Sequence, residues 1–232
     1  MPLTLTSRQV GDITVTTCSG RIVDGPEGAT LQQHLEKLLP HWPCVVLNVA
    51  DVGFVDSSGL GLLLRFVLRA RAARGDVKLS GLQPRLQEVL RATKLLSVFD
   101  WHPTEEAAVA AFYGPNQASG AMTPLESEIL FVDPSVNVLA YVREIFHQAG
   151  YGLMTVGNLP DALILLRATR PKLVIVAAAL RAQRGTRTAE TFHQLADGIG
   201  VIEMPDDFST HDPVAAGERL LASVRERVGS RM

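Results

Sequence analysis

The sequence predicts an α/β protein in two layered parts: a mixed sheet with helices, then a smaller doubly wound parallel sheet. Three observations carry this. Strand-like and helix-like hydrophobic periods alternate along nearly the whole chain. The stretch GPNQASGAMTP, Gly114 to Pro124, is uncharged, holds two glycines and two prolines, and reads as a linker. The 232 residues leave roughly 110 on either side of it, enough for one modest core each.

In the first part, a strand over Leu3 to Val10 meets a tight turn at Gly11 and Asp12. Ile13 to Gly20 then alternates as a half-buried strand does. A helix is expected from about Ala29 to Leu39, with Leu31, Leu35, Leu38 and Leu39 on one face; Pro40 and Pro43 end it. Cys44 to Val49 is a continuous apolar strand, which implies burial on both faces. A second helix follows the turn Asp56-Ser57-Ser58-Gly59 and runs to about Ala73, where Arg74 and Gly75 form a stop signal. Asp76 to Leu79 reads as a strand, Pro84 to Ala92 as a helix, Leu95 to Phe99 as extended chain and Glu105 to Phe112 as a last helix.

In the second part, strands are expected at Glu128 to Asp133, Gly152 to Val156, Leu173 to Ala177 and Gly200 to Met204. Helices are expected at Val136 to Gln148, Leu159 to Thr169, Ala189 to Ala196 and Val214 to Val228. This strict alternation is the order of a doubly wound parallel sheet.

Composition narrows the functions. Apolar residues make up 47% and charged residues 20%, as in an ordinary folded protein. The formal net charge of −2 gives no support to nucleic acid or an anionic membrane as a direct partner. No apolar run reaches the ~18 residues of a membrane span, and the amino-terminal segment lacks the features of a secretory signal. Cys18 and Cys44 are the only cysteines and lack metal-ligand spacing, so a cytoplasmic location without disulfides is expected. There is no phosphate-binding GxxxxGK[ST] loop, no GxSxG elbow and no pair of histidines at i, i+4. No cofactor, metal or catalytic residue is expected, and an enzyme is not the reading. Arg65, Arg69, Arg71 and Arg74 read as a solvated helix surface, with an acidic docking partner as the alternative.

The most informative segment follows the buried strand. Asp56 or a serine is a good helix N-cap, and Gly59 and Gly61 let the first turn pack closely against another backbone. A serine hydroxyl at an exposed helix start is also a good phosphate acceptor, because the helix dipole tolerates the added charge. The run VVLNVADVGFVDSSGLGLLL, with its flanks, resembles the signature of the STAS domain of sulfate transporters and bacterial anti-sigma-factor antagonists. The resemblance covers residues 3–113. It implies that Ser57, next to Asp56, is the phosphoacceptor of a cognate anti-sigma-factor serine kinase, and that a cognate phosphatase reverses the modification. It also implies a partner-binding surface at Asp24, Asp56, Ser58, Gly59 and Leu60. The chain departs from the family's usual Gly-Glu-Leu-Asp, reading Gly20-Arg21-Ile22-Val23-Asp24, so Asp24 has a loop-capping role as its alternative.

Residues 127–180 resemble a response-regulator receiver domain of the flavodoxin-like class, in degenerate form. Asp133 matches its first acid, but Pro134 stands at the second, Ala177 at the phosphoacceptor and Met204-Pro205 where lysine and proline are expected. Mg²⁺ needs several oxygen ligands, so phosphoaspartate chemistry is not expected, and Asp133 reads as a cap of the following helix.

The domains expected are thus a STAS domain at 1–113, a linker at 114–124 and a degenerate receiver-like domain at 125–232. The function expected is a phospho-regulated anti-sigma-factor antagonist, with a homodimer as a further expectation. The alternatives are a non-switching scaffold of a signalling assembly and a nucleotide or small-ligand sensor. If the two parts fold separately, limited proteolysis cuts first between Gly114 and Pro124 and leaves two soluble fragments; early cleavage elsewhere, or fragments that aggregate, argues for one shared core.

Overall fold

The computed structural model describes residues 1–40, 44–113, 128–183, 185–205, 208 and 213–229. The chain divides into two compact units, Met1–Thr123 and Pro124–Met232. The expected linker at 114–124 lies outside the described residues.

The first unit opens with β1 (Thr4–Val10) and β2 (Ile13–Ile22), an antiparallel hairpin whose Val10↔Ile13 register is closed by Gly11 at φ 63°. Then come α1 (Pro26–Leu38), β3 (Cys44–Val55), α2 (Ser57–Ala72), β4 (Asp76–Ser80), α3 (Pro84–Ala92), β5 (Asp100–His102) and α4 (Glu105–Tyr113). The sheet runs β1-β2-β3-β4-β5, and every pair after the hairpin is parallel. Leu31 and Leu35 of α1, Leu63, Phe66 and Val67 of α2, and Leu86 and Leu90 of α3 share one core with Ile22, Leu47 and Leu79. The opposite sheet face belongs to α4. There Lys78 is buried, lies 4.7 Å from the centre of the Phe112 ring and pairs with Asp100. Across the same face Glu105 takes an ion pair from Arg8 and a hydrogen bond from Asn48 at 2.9 Å.

Four expectations change. α1 starts at Pro26, three residues early, because proline suits the first helical position, where no N–H is needed. β3 does not stop at Val49: pairing with β2 carries it to Val55, six residues beyond the purely apolar run. Leu95 to Phe99 is turn rather than extended chain, and the strand is Asp100–His102. The reason is the end of α3: Lys94 turns left-handed at φ 57° and the N–H groups of Leu95 and Leu96 both donate to the Leu90 carbonyl, at 2.9 and 3.0 Å. The reversal folds Leu95, Leu96 and Phe99 back onto the core. α2 ends the same way, but the left-handed residue is Arg74 at φ 60°, while Gly75 donates its N–H to Ala70 at 2.8 Å.

The second unit contains β6 (Ile129–Val132), α5 (Val136–Gln148), β7 (Leu153–Val156), α6 (Leu159–Thr169), β8 (Leu173–Val176), a 3₁₀ segment (Ala178–Gln183), α7 (Arg187–Ala196), β9 (Gly200–Glu203) and α8 (Pro213–Gly229). Its sheet is parallel throughout, in the order β7-β6-β8-β9. Val138, Val142 and Phe146 of α5 and Leu220 and Val224 of α8 pack with Ile129, Phe131 and Ile175. Leu130 and Val132, of opposite parity, are buried as well, which is why all four residues of β6 are apolar. No helix among the described residues is long and apolar enough to cross a membrane.

Candidate functional site

The site is built where β2 and β3 end together. The two strands stay paired to Ile22↔Val55, and the Asp56 N–H donates to the Ile22 carbonyl at 3.2 Å. Asp56 is extended (φ −89°, ψ −179°) and is the N-cap of α2. One carboxylate oxygen accepts the Gly59 N–H at 2.7 Å, and the other accepts the Asp24 N–H at 3.0 Å. These backbone donors, Gly59 first and Asp24 second, hold the Asp56 carboxyl below the usual carboxylate range, because they favour its charged form.

Ser57 and Ser58 follow as the first residues of α2, and both are exposed. Gly59 is buried: a Cβ there would lie 2.3 Å from the Ile22 carbonyl oxygen, so only glycine allows helix and strand to approach this closely. Gly61 differs from the expectation, since a Cβ there would meet only Arg65 Nη1, at 3.9 Å. An exposed serine hydroxyl is thus presented by a turn fixed from beneath through one carboxylate and one glycine.

The structure brings Asp24, Asp56, Ser57, Ser58, Gly59 and Leu60 together at one end of the first unit, but not all at its surface. Leu60 is only 6% exposed and belongs to the core, so it supports the turn from within. Gly59 is likewise internal. Asp24 is exposed, and its backbone is the group being capped; the capping carboxylate is that of Asp56, not its own. Sequence reasoning missed Arg21 and Phe54 as a pair. They are partners in the β2–β3 register, with the guanidinium 5.6 Å from the centre of a ring that is 53% exposed. The arginine at the departure from Gly-Glu-Leu-Asp is the signal for it, but the apolar run ends at Val49 and gives no hint that β3 continues to pair as far as Phe54. Of the arginines on α2, Arg69 pairs with Glu36 at 2.8 Å and Arg71 with Asp76 at 2.9 Å.

In the second unit, Asp133, Ala177 and Met204 stand at the carboxyl ends of adjacent strands β6, β8 and β9. The Ala177 N–H donates to Val132 at 2.8 Å and the Met204 N–H to Val176 at 2.9 Å. Asp133 is 7% exposed, and burial pushes its carboxyl above the ordinary range. It does not cap α5. Ser135 does, accepting the Val138 N–H, while Asp133 accepts the Ser135 N–H at 2.7 Å in the turn before the helix. Among the described residues no group of three or more His, Cys, Asp or Glu side chains could hold a metal ion.

The turn generates a contrast between its two glycines. Gly59→Ala destabilises the first unit by roughly 1–3 kcal/mol, because the added methyl meets backbone. Gly61→Ala stabilises it by about 0.5–1 kcal/mol, because a half-buried helical glycine with room for a Cβ gains order as alanine. Asp56→Ala lowers the melting temperature through loss of the cap. The folded-state pKa of Asp56 is depressed, so its contribution is fully present above the unfolded value of about 3.9 and is lost as the pH falls through the folded value. The gap between parent and Asp56→Ala therefore narrows in acid. Thermal melts of the three variants between acid and neutral pH check all of this; equal effects of the two alanines would contradict the geometry.

Residues 4–108 match the family model of the STAS domain. Over 68 residues, 29% of this chain and 59% of the relative's length, the sequence is 34% identical to BtrV of Bordetella bronchiseptica, a protein that carries the name of an anti-sigma factor antagonist. The chain thus spans less than two thirds of that relative. A crystal structure of an anti-sigma factor antagonist from Mycobacterium paratuberculosis is similar at 23% identity, covering 47% of this chain and 92% of the other, with a TM-score of 0.43. SpoIIAA of Bacillus in its unphosphorylated form is similar at 20% identity, covering 48% and 99%, with a TM-score of 0.40. Residues 4–108 are thus similar to the STAS domain, and a relative over part of that span carries the name of an anti-sigma factor antagonist.

Proposed function

We propose that the first unit is a phospho-regulated anti-sigma-factor antagonist, a binding switch with no catalytic chemistry of its own. It binds an anti-sigma-factor serine kinase in the cytoplasm, is released when that kinase phosphorylates Ser57, and is restored by a phosphatase. The observation that carries this reading is the exposed Ser57 hydroxyl on a helix start tied down by Asp56 and Gly59. A kinase can reach such a hydroxyl without unfolding the domain, and the helix dipole accepts the new charge. The similarity to BtrV supports the partner class. The second unit is proposed as a receiver-like docking or dimerisation module that takes no phosphate.

The size of the switch follows from charge. A phosphoserine adds about −1.5 to −2 at pH 7, beside Asp56 and opposite a kinase site that holds nucleotide phosphates. Two like unit charges ~6 Å apart repel by about 0.7 kcal/mol in water and about 3 kcal/mol at an effective dielectric near 20. For a doubly charged group the penalty spans about 1–6 kcal/mol, so affinity falls from several-fold to more than a thousandfold.

Capture from a lysate of the source cells with the parent protein and with Ser57→Glu, read by mass spectrometry, identifies the partner. Titration calorimetry then compares variants against that kinase. Ser57→Ala binds and resists release by ATP, Ser57→Asp binds weakly, and Ser58→Ala is still phosphorylated. Phosphate found on Ser58 alone, or equal affinity of Ser57→Asp and parent, would falsify the assignment. Incubation of the full chain with acetyl phosphate and Mg²⁺ leaves no hydroxylamine-labile phosphate on residues 125–232, since Ala177 offers no carboxylate; a labile phosphate there would restore receiver chemistry to the second unit.

A further inference from the structure

We propose that Arg21 and Arg65 form an intramolecular clamp for the phosphate on Ser57; the proposal rests on Ser57 as the phosphoacceptor. Both arginines are exposed, and neither has a carboxylate partner among the described residues, whereas Arg69, Arg71 and Arg8 pair with Glu36, Asp76 and Glu105. Arg21 makes no ion pair with Asp56, although its charge is felt there; the Asp56 oxygens accept the Gly59 and Asp24 N–H groups.

The two approach the turn from different elements. Arg21 leaves β2 one residue before the Ile22↔Val55 pair that leads into Asp56 and Ser57. Its guanidinium rests over Phe54, and its charge reaches Asp56, where it contributes to the lowered carboxyl. Arg65 lies two turns along α2, and helical side chains lean toward the amino-terminal end. Its Nη1 lies 3.9 Å from where a Cβ of Gly61 would stand, so it already reaches back by one turn. Gly61 has no left-handed φ and nothing else within 4 Å of its Cβ position, so packing does not explain a glycine there. Its missing side chain leaves the path from Arg65 to the serines open.

A phosphate dianion accepts paired N–H groups from guanidinium, and such charge-assisted bonds are stronger than a cation–π contact on an exposed ring. Phosphorylation therefore draws Arg21 off Phe54 and uncovers the ring. The partner meets a changed apolar surface as well as a new charge.

The test uses the full chain with phosphoserine installed at position 57 during translation, so its outcome does not depend on whether a kinase modifies that residue; phosphosite mapping tests that separately. The second phosphate pKa is read by ³¹P NMR titration in the parent, Arg21→Ala, Arg65→Ala, the double variant and Arg69→Ala, with circular dichroism to confirm folding. An unclamped phosphoserine titrates near ~6. The parent is expected about 0.2–0.7 unit below the double variant, which keeps the helix start and Asp56; this is the size that an exposed ion pair supports. Each single variant recovers part of the shift, the double variant recovers it all, Arg69→Ala recovers none, and ~1 M salt removes it from the parent. Equal values for parent and double variant, a single arginine accounting for the whole shift, or an Arg69→Ala effect as large as either overturns the clamp.

Discussion

The carboxylate of Asp56 accepts one N–H from the start of α2 and one from the chain leaving β2, and the position of Ser57 depends on that double acceptance. Beneath it, Gly59 brings the helix so close to the Ile22 carbonyl that no side chain fits between them. Strand end, loop and helix start are thereby joined into one rigid corner. Leu60 and Leu63 anchor the same helix in the core from below. The serines above this corner bear no structural duty, which leaves their chemistry free for another molecule.

Much of the architecture was legible because the relevant forces are local. The hairpin at Gly11, the helix over Pro84–Ala92 and the helices over Val136–Gln148 and Leu159–Thr169 were fixed by turn residues and apolar period alone. What was not legible depends on contacts distant in sequence or on which residue at a helix end turns left-handed. The six residues from Ala50 to Val55 are strand because β2 runs beside them, not because their own pattern alternates. Leu95 to Phe99 looks extended by composition, yet the left-handed Lys94 reverses the chain there. Arg74 is harder still: a positively charged side chain gives no hint of φ 60° when a glycine stands next to it. At the site, the residue types around Ser57 were readable from the motif. The burial of Leu60 and the stacking of Arg21 on Phe54 required the folded chain.

At the carboxyl ends of the second unit's sheet, one buried acid stands among apolar residues. Asp133 stands beside Ala177 across the β6–β8 ladder, and the neighbouring β9 contributes Met204. A carboxylate among such neighbours is desolvated by more than its one backbone donor offsets, which is why its pKa rises. One donor, the Ser135 N–H, keeps it in a structural turn. The core of this unit is made by α5, α8 and the apolar strands, and does not depend on that carboxylate.

The split at the corner between buried supports and exposed display has an evolutionary consequence. Gly59, Leu60 and the Asp56 hydrogen bonds tolerate little substitution, because change there is felt by the fold. Arg21, Asp24, Ser58 and Phe54 stand in solvent and can vary at small cost to stability. Selection for discrimination among partners and selection for folding therefore act on different residues of the same turn. A duplicated copy of this domain could diverge in recognition through a handful of surface changes while its scaffold stays intact.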